Sequence, residues 1–570
     1  MSSSAIIRRR CQRWAGALLL AALAALAPIT GAPRVLAEET PPDPNLPLIV
    51  VNVASVERLL NQAIVTFEAA GRPELSETLG SALEKVNDLK GFDRSQSVGV
   101  MIFLNGITPE AVGYAPVKDL DSVLKTMEIG PVTTKKTGDD RFEIAAPRQT
   151  FHGRVRDDYA FFATSETALD RQFRDPARLT ARLSNAYDMA VSLNLKSIPQ
   201  TTRELFLSVL RANSESDLQR RDNEPESAHR LRKAAGLHNI EVIEELIAQG
   251  EDVTIGWSIS ETDRKATLEV VVGAVPGTDF AAFFNSLKGH RGRFTNLVSG
   301  THPLTAGLSW KLDPSVRKMF HEMIAGVETQ LRKSLPDRTD DAKTADGDSS
   351  ADPVGALVKA LRATADSGHL DAAAQFVRQP QGSFVLVGGV RIVDAGTLSG
   401  AMSDLLTRFK GNENISNVKL NVLTHEGVSI HRLEFKQDRP QEERFYGGKP
   451  GLYLGVGDDA VWFALGGSEA PAELKRAIDL AAEPIPEGVT QSPFQFVMNF
   501  ASWMDVFDPD QKAEGFAALA RGSFAKGKDA LRIEALPIDD GLRLRITMDE
   551  AFLRLVGEQI ARQFDANSDE

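Results

Sequence analysis

Two widely separated stretches of the chain carry apolar residues in the same helical order. Val56, Leu59, Leu60, Ala63, Ile64 and Phe67 form one set, and Val316, Met319, Phe320, Met323, Ile324 and Val327 form the other. Both follow i, i+3, i+4, i+7 spacing, so each predicts a helix with one buried face. Asp313-Pro314 supplies an N-cap acceptor and an N1 proline for the second helix. Strand-like runs, Leu48–Val53 and Thr305–Leu312, precede them.

Further landmarks recur in the same sequence order. Gly113–Val117 followed by Asp119 matches Gly389–Val393 followed by Asp394, each read as a strand running into a capped helix. Asp157-Asp158 before Tyr159–Ala163 matches Asp458-Asp459 before Ala460–Ala464, an acidic turn feeding an aromatic strand. Tyr187–Leu195 matches Phe494–Phe500, and Val253–Val272 matches Leu531–Met548, a strand pair around a polar turn. A terminal helix follows each pair, with Phe280, Phe283, Phe284 and Leu287 in one stripe and Phe552, Leu555, Val556 and Ile560 in the other. This ordered recurrence favours internal duplication over chance alignment of amphipathic segments. Hairpin-like strand pairs mixed with helices predict an α+β fold of two tandem repeats, each a largely antiparallel sheet packed with helices. The expected repeats span residues 47–295 and 296–570. The first holds a charged insertion near 211–233, expected as an exposed helix or helical hairpin. The second holds an Asp-rich mobile loop near 336–353.

The N-terminus changes the picture from fold to place. Arg8, Arg9, Arg10 and Arg13 precede an apolar run from Trp14 to Ala27; Pro28 and Gly31 break it, and Val35-Leu36-Ala37 suits a cleavage site. This is the order of a secretory signal over residues 1–37, followed by a Pro-rich linker over 38–46. The expected location is periplasmic or secreted. The run is short for a membrane span, though retention as an anchor stays open, and no later segment supplies a span. The only cysteine, Cys11, lies in the leader, which leaves a mature chain without disulfides or thiolate chemistry. Removing the leader's five arginines from 65 Lys+Arg leaves 60 against 78 Asp+Glu, a net charge of −18. Such a surface disfavours nucleic acid and anionic membrane faces.

Several motifs resemble chemistry and lack a required part. Gly522–Lys528 has phosphate-loop spacing, but Asp529 stands where Ser or Thr would hold magnesium, and a strand follows instead of a helix. Gly455-Val-Gly457 mimics a dinucleotide fingerprint, yet it runs into an acidic pair and a strand, so a hairpin turn is expected. His321-Glu322 lacks a second histidine at 325, which is Ala. His425 and His431, with Glu426 or Glu434, form the nearest histidine pair, and two histidines alone seldom make a metal site. The Asp-rich loop lacks calcium-loop spacing. Leu237–Gly250 resembles half an ankyrin repeat but has no neighbouring period, so a single amphipathic helix is expected. The aromatic strands Tyr159–Phe162 and Val461–Phe463 suit a core better than a ligand cleft. No G-x-S-x-G elbow occurs. No catalytic, cofactor-binding or metal-ligating residue is assigned.

With its leader, Ser-Val helices, Asp-Asp-aromatic strands and terminal hairpin-helices, the chain resembles the uncharacterised exported bacterial proteins built from two α+β repeats. That resemblance transfers no catalytic residue. The expected function is an exported, non-catalytic binding or structural protein. The alternatives are a carrier or chaperone-like protein for apolar ligands of the envelope, and a carboxylate- or metal-dependent hydrolase.

Overall fold

The computed structural model describes residues 43–568, apart from 44, 107, 129, 223, 225, 290, 299, 313, 335–351, 411, 413, 437–439, 488–490 and 508–513. The leader over 1–37, Asp313 and most of the Asp-rich loop lie outside the described residues.

The chain is α+β, with 20 strands and 15 helices among the described residues. It begins β1 (Ile49–Val53), α1 (Val56–Ala70), α2 (Leu75–Lys85), β2 (Val98–Asn105), β3 (Thr108–Pro116), α3 (Leu120–Met127), β4 (Thr133–Lys136), β5 (Arg141–Ala146), β6 (Gln149–Arg156) and β7 (Tyr159–Ala163). It continues α4 (Pro176–Ala186), β8 (Met189–Asn194), α5 (Gln200–Asp217), α6 (Glu226–Gln249), β9 (Gly250–Ser260), β10 (Lys265–Ala274) and α7 (Asp279–Ser286). Next come β11 (Leu304–Lys311), α8 (Pro314–Ser334), α9 (Pro353–Asp366), β12 (His369–Arg378), β13 (Phe384–Arg391), α10 (Leu398–Arg408), β14 (Ile415–His425), β15 (Val428–Phe435) and α11 (Pro440–Tyr446). The chain closes with β16 (Gly451–Val456), β17 (Ala460–Gly466), α12 (Ala470–Ala482), β18 (Phe494–Asn499), α13 (Ala501–Phe507), α14 (Phe516–Phe524), β19 (Ala530–Ile538), β20 (Gly541–Met548) and α15 (Glu550–Ser568).

Local chemistry explains many of the boundaries. Ser55 caps α1 by accepting from the Arg58 amide, and Gly71 ends the helix at φ 74°. Asp119 caps α3 through the Ser122 amide, and Asp175 with Pro176 opens α4. Asp394 departs from the expected cap. It takes φ 55°, makes no side-chain cap bond, and leads through a short 3₁₀ turn into α10. The charged stretch near 211–233 lies in a helical hairpin, α5 with α6, where Arg211 pairs with Glu244 and Arg232 with Glu224.

Among the described residues all strand pairings are antiparallel, and they join into one open sheet through β10 and β20. From β10 outward the order is β9, β8, β1, β2, β3, β7, β6, β5, β4. From β20 outward it is β19, β18, β11, β12, β13, β17, β16, β15, β14. At the seam Glu269 lies opposite Arg545 and accepts from its Nε at 2.6 Å, while Tyr187 Oη donates to Glu269 at 2.8 Å.

Alternation along the strands separates two faces. The back carries two large clusters. One includes Met101, Phe103, Tyr114, Tyr159 and Phe161, and the other includes Trp462, Ile430 and Val387 with Leu474 of α12. The front is covered at intervals by helices. At one end α1 packs with α15, through Phe67, Ala561, Ala69 and Leu553. At the other, Phe280, Phe283 and Phe284 of α7 pack with Trp310 and with Val316 of α8. The last described helix therefore lies on the first described one, and side chains from either side of residue 295 share one core.

Candidate functional site

The motifs that mimic catalytic or ligand-binding sequences occupy structural positions. Gly522 to Phe524 close α14, so helix carbonyls rather than amides point along the following turn, an arrangement that disfavours phosphate. Gly527 and Lys528 then take φ 77° and 51° before β19, and Lys528 pairs with Glu550 at 3.5 Å. Gly457 donates its amide to Ala460 across the β16–β17 turn. His321 faces Asp366 at 2.8 Å on the surface. His425 and His431 do not converge. His425 pairs with Asp479 at 2.6 Å, whereas His431 is fully buried and accepts the Asn421 amide at its Nδ1. Burial lowers the His431 pKa, which keeps the ring neutral. Among the described residues, no group of three or more His, Cys, Asp or Glu side chains is placed to hold a metal ion. Leu237–Gln249 lies within α6, and Gly250 opens β9.

One buried carboxyl stands out. Asp371 on β12 lies opposite Ser309 on β11, is 3% exposed, and accepts the Arg293 amide at one oxygen. Its other oxygen, Ser309 Oγ and Gln491 Nε2 find no hydrogen-bond partner among the described residues. A side chain at Gly292 would run into Asp371, Ser309 and Gln491, so the knot closes against backbone. Burial raises the Asp371 pKa above 3.8. The charged carboxylate therefore weakens the fold at neutral pH. Between the raised native value and 3.8 the native state binds a proton the unfolded chain lacks, so falling pH removes that penalty. Asp371→Asn is expected to raise stability at pH 7 by about 1–3 kcal/mol. Urea midpoints measured from pH 7 down to pH 4 should show the gain shrinking, and a gain independent of pH would contradict this account.

The front face carries an apolar cavity of about 480 Å³. Three groups of residues build it. Ile144, Ala146, Phe151 and Phe162 project from β5, β6 and β7; Thr126 and Met127 come from the end of α3, with Val132 after it; Val86, Leu89 and Phe92 come from the segment after α2. Strand register explains the first set. Ile144 lies opposite Phe151, and Phe162 lies opposite Gly153, whose missing side chain makes room for the Phe142 ring. Thr126 is the one polar side chain among the described residues of the lining, and its hydroxyl is engaged. It donates to the Lys90 carbonyl at 3.0 Å and accepts from Asn87 Nδ2 at 3.1 Å.

The wall from Val86 to Phe92 is strained. Asn87, Asp88 and Leu89 all take positive φ, at 52°, 52° and 55°. Each costs roughly 1–2 kcal/mol relative to ordinary backbone, and Leu89 lacks the side-chain compensation open to Asn and Asp. The turn is held from both sides. Thr126 grips it, and Gly91, at φ 90°, lies directly on the first turn of α3, where a Cβ would come within 2.6 Å of the Asp119 carbonyl.

A row of register partners leads from this cavity across the sheet: Phe162, Gly113, Val100, Val51, Val191 and Ile255. The Phe162 ring lies over Gly113. Val51, Val191 and Ile255 are 38%, 40% and 47% exposed, and the neighbouring Met189 on the same face is 47% exposed. An apolar strip of this kind on adjacent strands marks a binding surface more often than scattered surface residues do.

Tyr159–Phe162 reads in the sequence as one aromatic strand. The structure divides it, with Tyr159 and Phe161 in the back core and Phe162 on the cavity. Nothing in the letters signalled the contribution of Val86, Leu89 and Phe92, which come from a short turn rather than a periodic element. No protein-family model matches the chain, and neither curated proteins nor solved structures give a match.

Proposed function

We propose that this is an exported, non-catalytic binding protein built from two copies of one ten-stranded unit, and that its ligand is an apolar molecule of the cell envelope. The half-exposed strip of Val51, Met189, Val191 and Ile255 carries the reading. Valine, isoleucine and methionine left uncovered on three neighbouring strands of a folded sheet are costly in water, and a ligand would relieve that cost. The leader pattern of residues 1–37 supports export. The two strand orders from the seam, which step through the chain alike, support duplication, as do the sequence landmarks, which fall on elements at like places in those orders. The buried Asp371 knot has the features of a structural device. Its serine has no basic partner among the described residues to activate it.

Protein expressed with its leader and purified without detergent should carry apolar small molecules, detected by mass spectrometry of a solvent extract. Val191→Asp with Ile255→Asp, which leaves the back core intact, should carry several-fold less. A clean extract from folded protein, or equal loading of the double variant, would defeat the proposal.

A further inference from the structure

We infer that the cavity between β5–β7 and the Val86–Phe92 turn is a binding site for a single hydrocarbon chain, such as the tail of a single-tailed amphiphile. This inference rests on the reading of the protein as a binder of apolar ligands and names the ligand's class and its seat.

The chemistry of the lining selects the occupant. Ile144, Phe151, Phe162, Leu89 and Met127 offer no hydrogen-bonding group, and the Thr126 hydroxyl is committed to Lys90 and Asn87. A peptide segment would bury its own amides here without partners. A hydrocarbon chain has none to satisfy. The volume of about 480 Å³ lies within the range of small-molecule sites. A net charge of −13 for the full chain opposes docking of the whole face onto an anionic bilayer, which favours a single lipid molecule over a membrane surface.

Two further observations point to the same place. The row from Phe162 through Val100 and Val51 to Ile255 continues the apolar path for about 24 Å at ~4.8 Å per strand, so a chain longer than the cavity has an apolar track to follow. The left-handed turn at Asn87–Leu89 stores strain in the cavity wall, as segments that adjust to a ligand do. In the outer strands of the second half, Leu398, Met402 and Leu406 of α10 are buried against Val418, Leu433 and Val456. The shorter α3 buries Val123 and Leu124 on the first-half strands and leaves the cavity beside them.

The test uses delipidated protein and the straight-chain carboxylates from octanoate to hexadecanoate in titration calorimetry. Affinity should rise about fourfold per methylene, the equivalent of ~0.8 kcal/mol for each buried CH₂, until the chain outgrows the site. Binding should also show a negative heat-capacity change. Ala146→Phe and Val132→Phe, which add bulk at two neighbouring positions of the cavity lining, should each weaken dodecanoate binding at least tenfold without lowering the melting temperature. Affinity independent of chain length, or unchanged in whichever filled variants remain folded, would overturn the site and leave the binding-protein reading standing. Recovery of the probe chemically altered would instead overturn the binding-protein reading and leave the cavity in place.

Discussion

A chain ending at Asp549, without α15, is expected not to fold. This helix is the partner of α1. Ala561 and Ile560 pack on Phe67 and Leu75, and Leu553 packs on Ala69 and Ala266. Gly557 sits so close to α1 that a Cβ there would meet the Ala70 side chain at 2.8 Å. Arg554, 6% exposed, donates to the carbonyls of Ala69 and Ser523. Phe552 stacks edge-on against Phe500 and Phe524. Each buried apolar side chain of this set is worth about 1.5–3 kcal/mol, and together they reach the 5–15 kcal/mol that separates folded from unfolded domains. The same geometry predicts that residues 47–295 expressed alone will not fold, because α1 then lacks α15 and α7 lacks α8. Co-expression with residues 296–570 should restore soluble protein. Far-UV circular dichroism and thermal melts decide the matter. A cooperative melt from either truncated chain would show that the helix exchange is dispensable.

The second large effect is expected at Trp462. It is 1% exposed in the middle of the back core of the second half, with Phe294 edge-on at 5.3 Å. Gly389 makes this contact possible, since a Cβ there would come within 2.6 Å of the Phe294 ring and 3.0 Å of Trp462. Trp462 therefore does two things. It fills the core against Ile430 and Val387, and it anchors the 292–298 segment that crosses the back of the sheet. Trp462→Ala should cost about 3–5 kcal/mol, read as a shift in the guanidinium midpoint. Trp462→Phe should recover part of the loss. Loss of less than about 1 kcal/mol in the alanine variant would mean that the core collapses readily around the gap.

Much of the secondary structure was legible because its causes are local. The stripes from Val56 to Phe67 and Val316 to Val327 mark α1 and α8, although Met323 and Val327 at the end of the second are exposed rather than buried; Asp119 caps α3, and acidic turns introduce β7 and β17. In the phosphate-loop mimic, Asp529 stands where Ser or Thr would be needed, and β19 follows it directly. Asp394 misled because, like Asp119, it follows a glycine-led strand run, Gly389–Val393. The backbone instead enters the left-handed region there, which no side-chain pattern announces.

The candidate site was much less legible. Its lining comes from residues 86 to 162, on β5, β6, β7, the end of α3 and two connecting segments, and no one of them carries a sequence motif. Phe162 became a cavity wall, while its neighbour Phe161 entered the core, through strand parity and the register with Gly113. The seam is another long-range feature. Glu269 and Arg545 are distant in sequence and meet because β10 and β20 share an edge. By itself the sequence determined the α+β class, the place of several helices and strands, and that no familiar reaction centre is spelled out. Those properties depend on residues a few positions apart. Which strands became neighbours, which apolar face stayed uncovered, and where a hollow remained were decided only by tertiary structure, because they depend on pairings and volumes that no short window of residues contains.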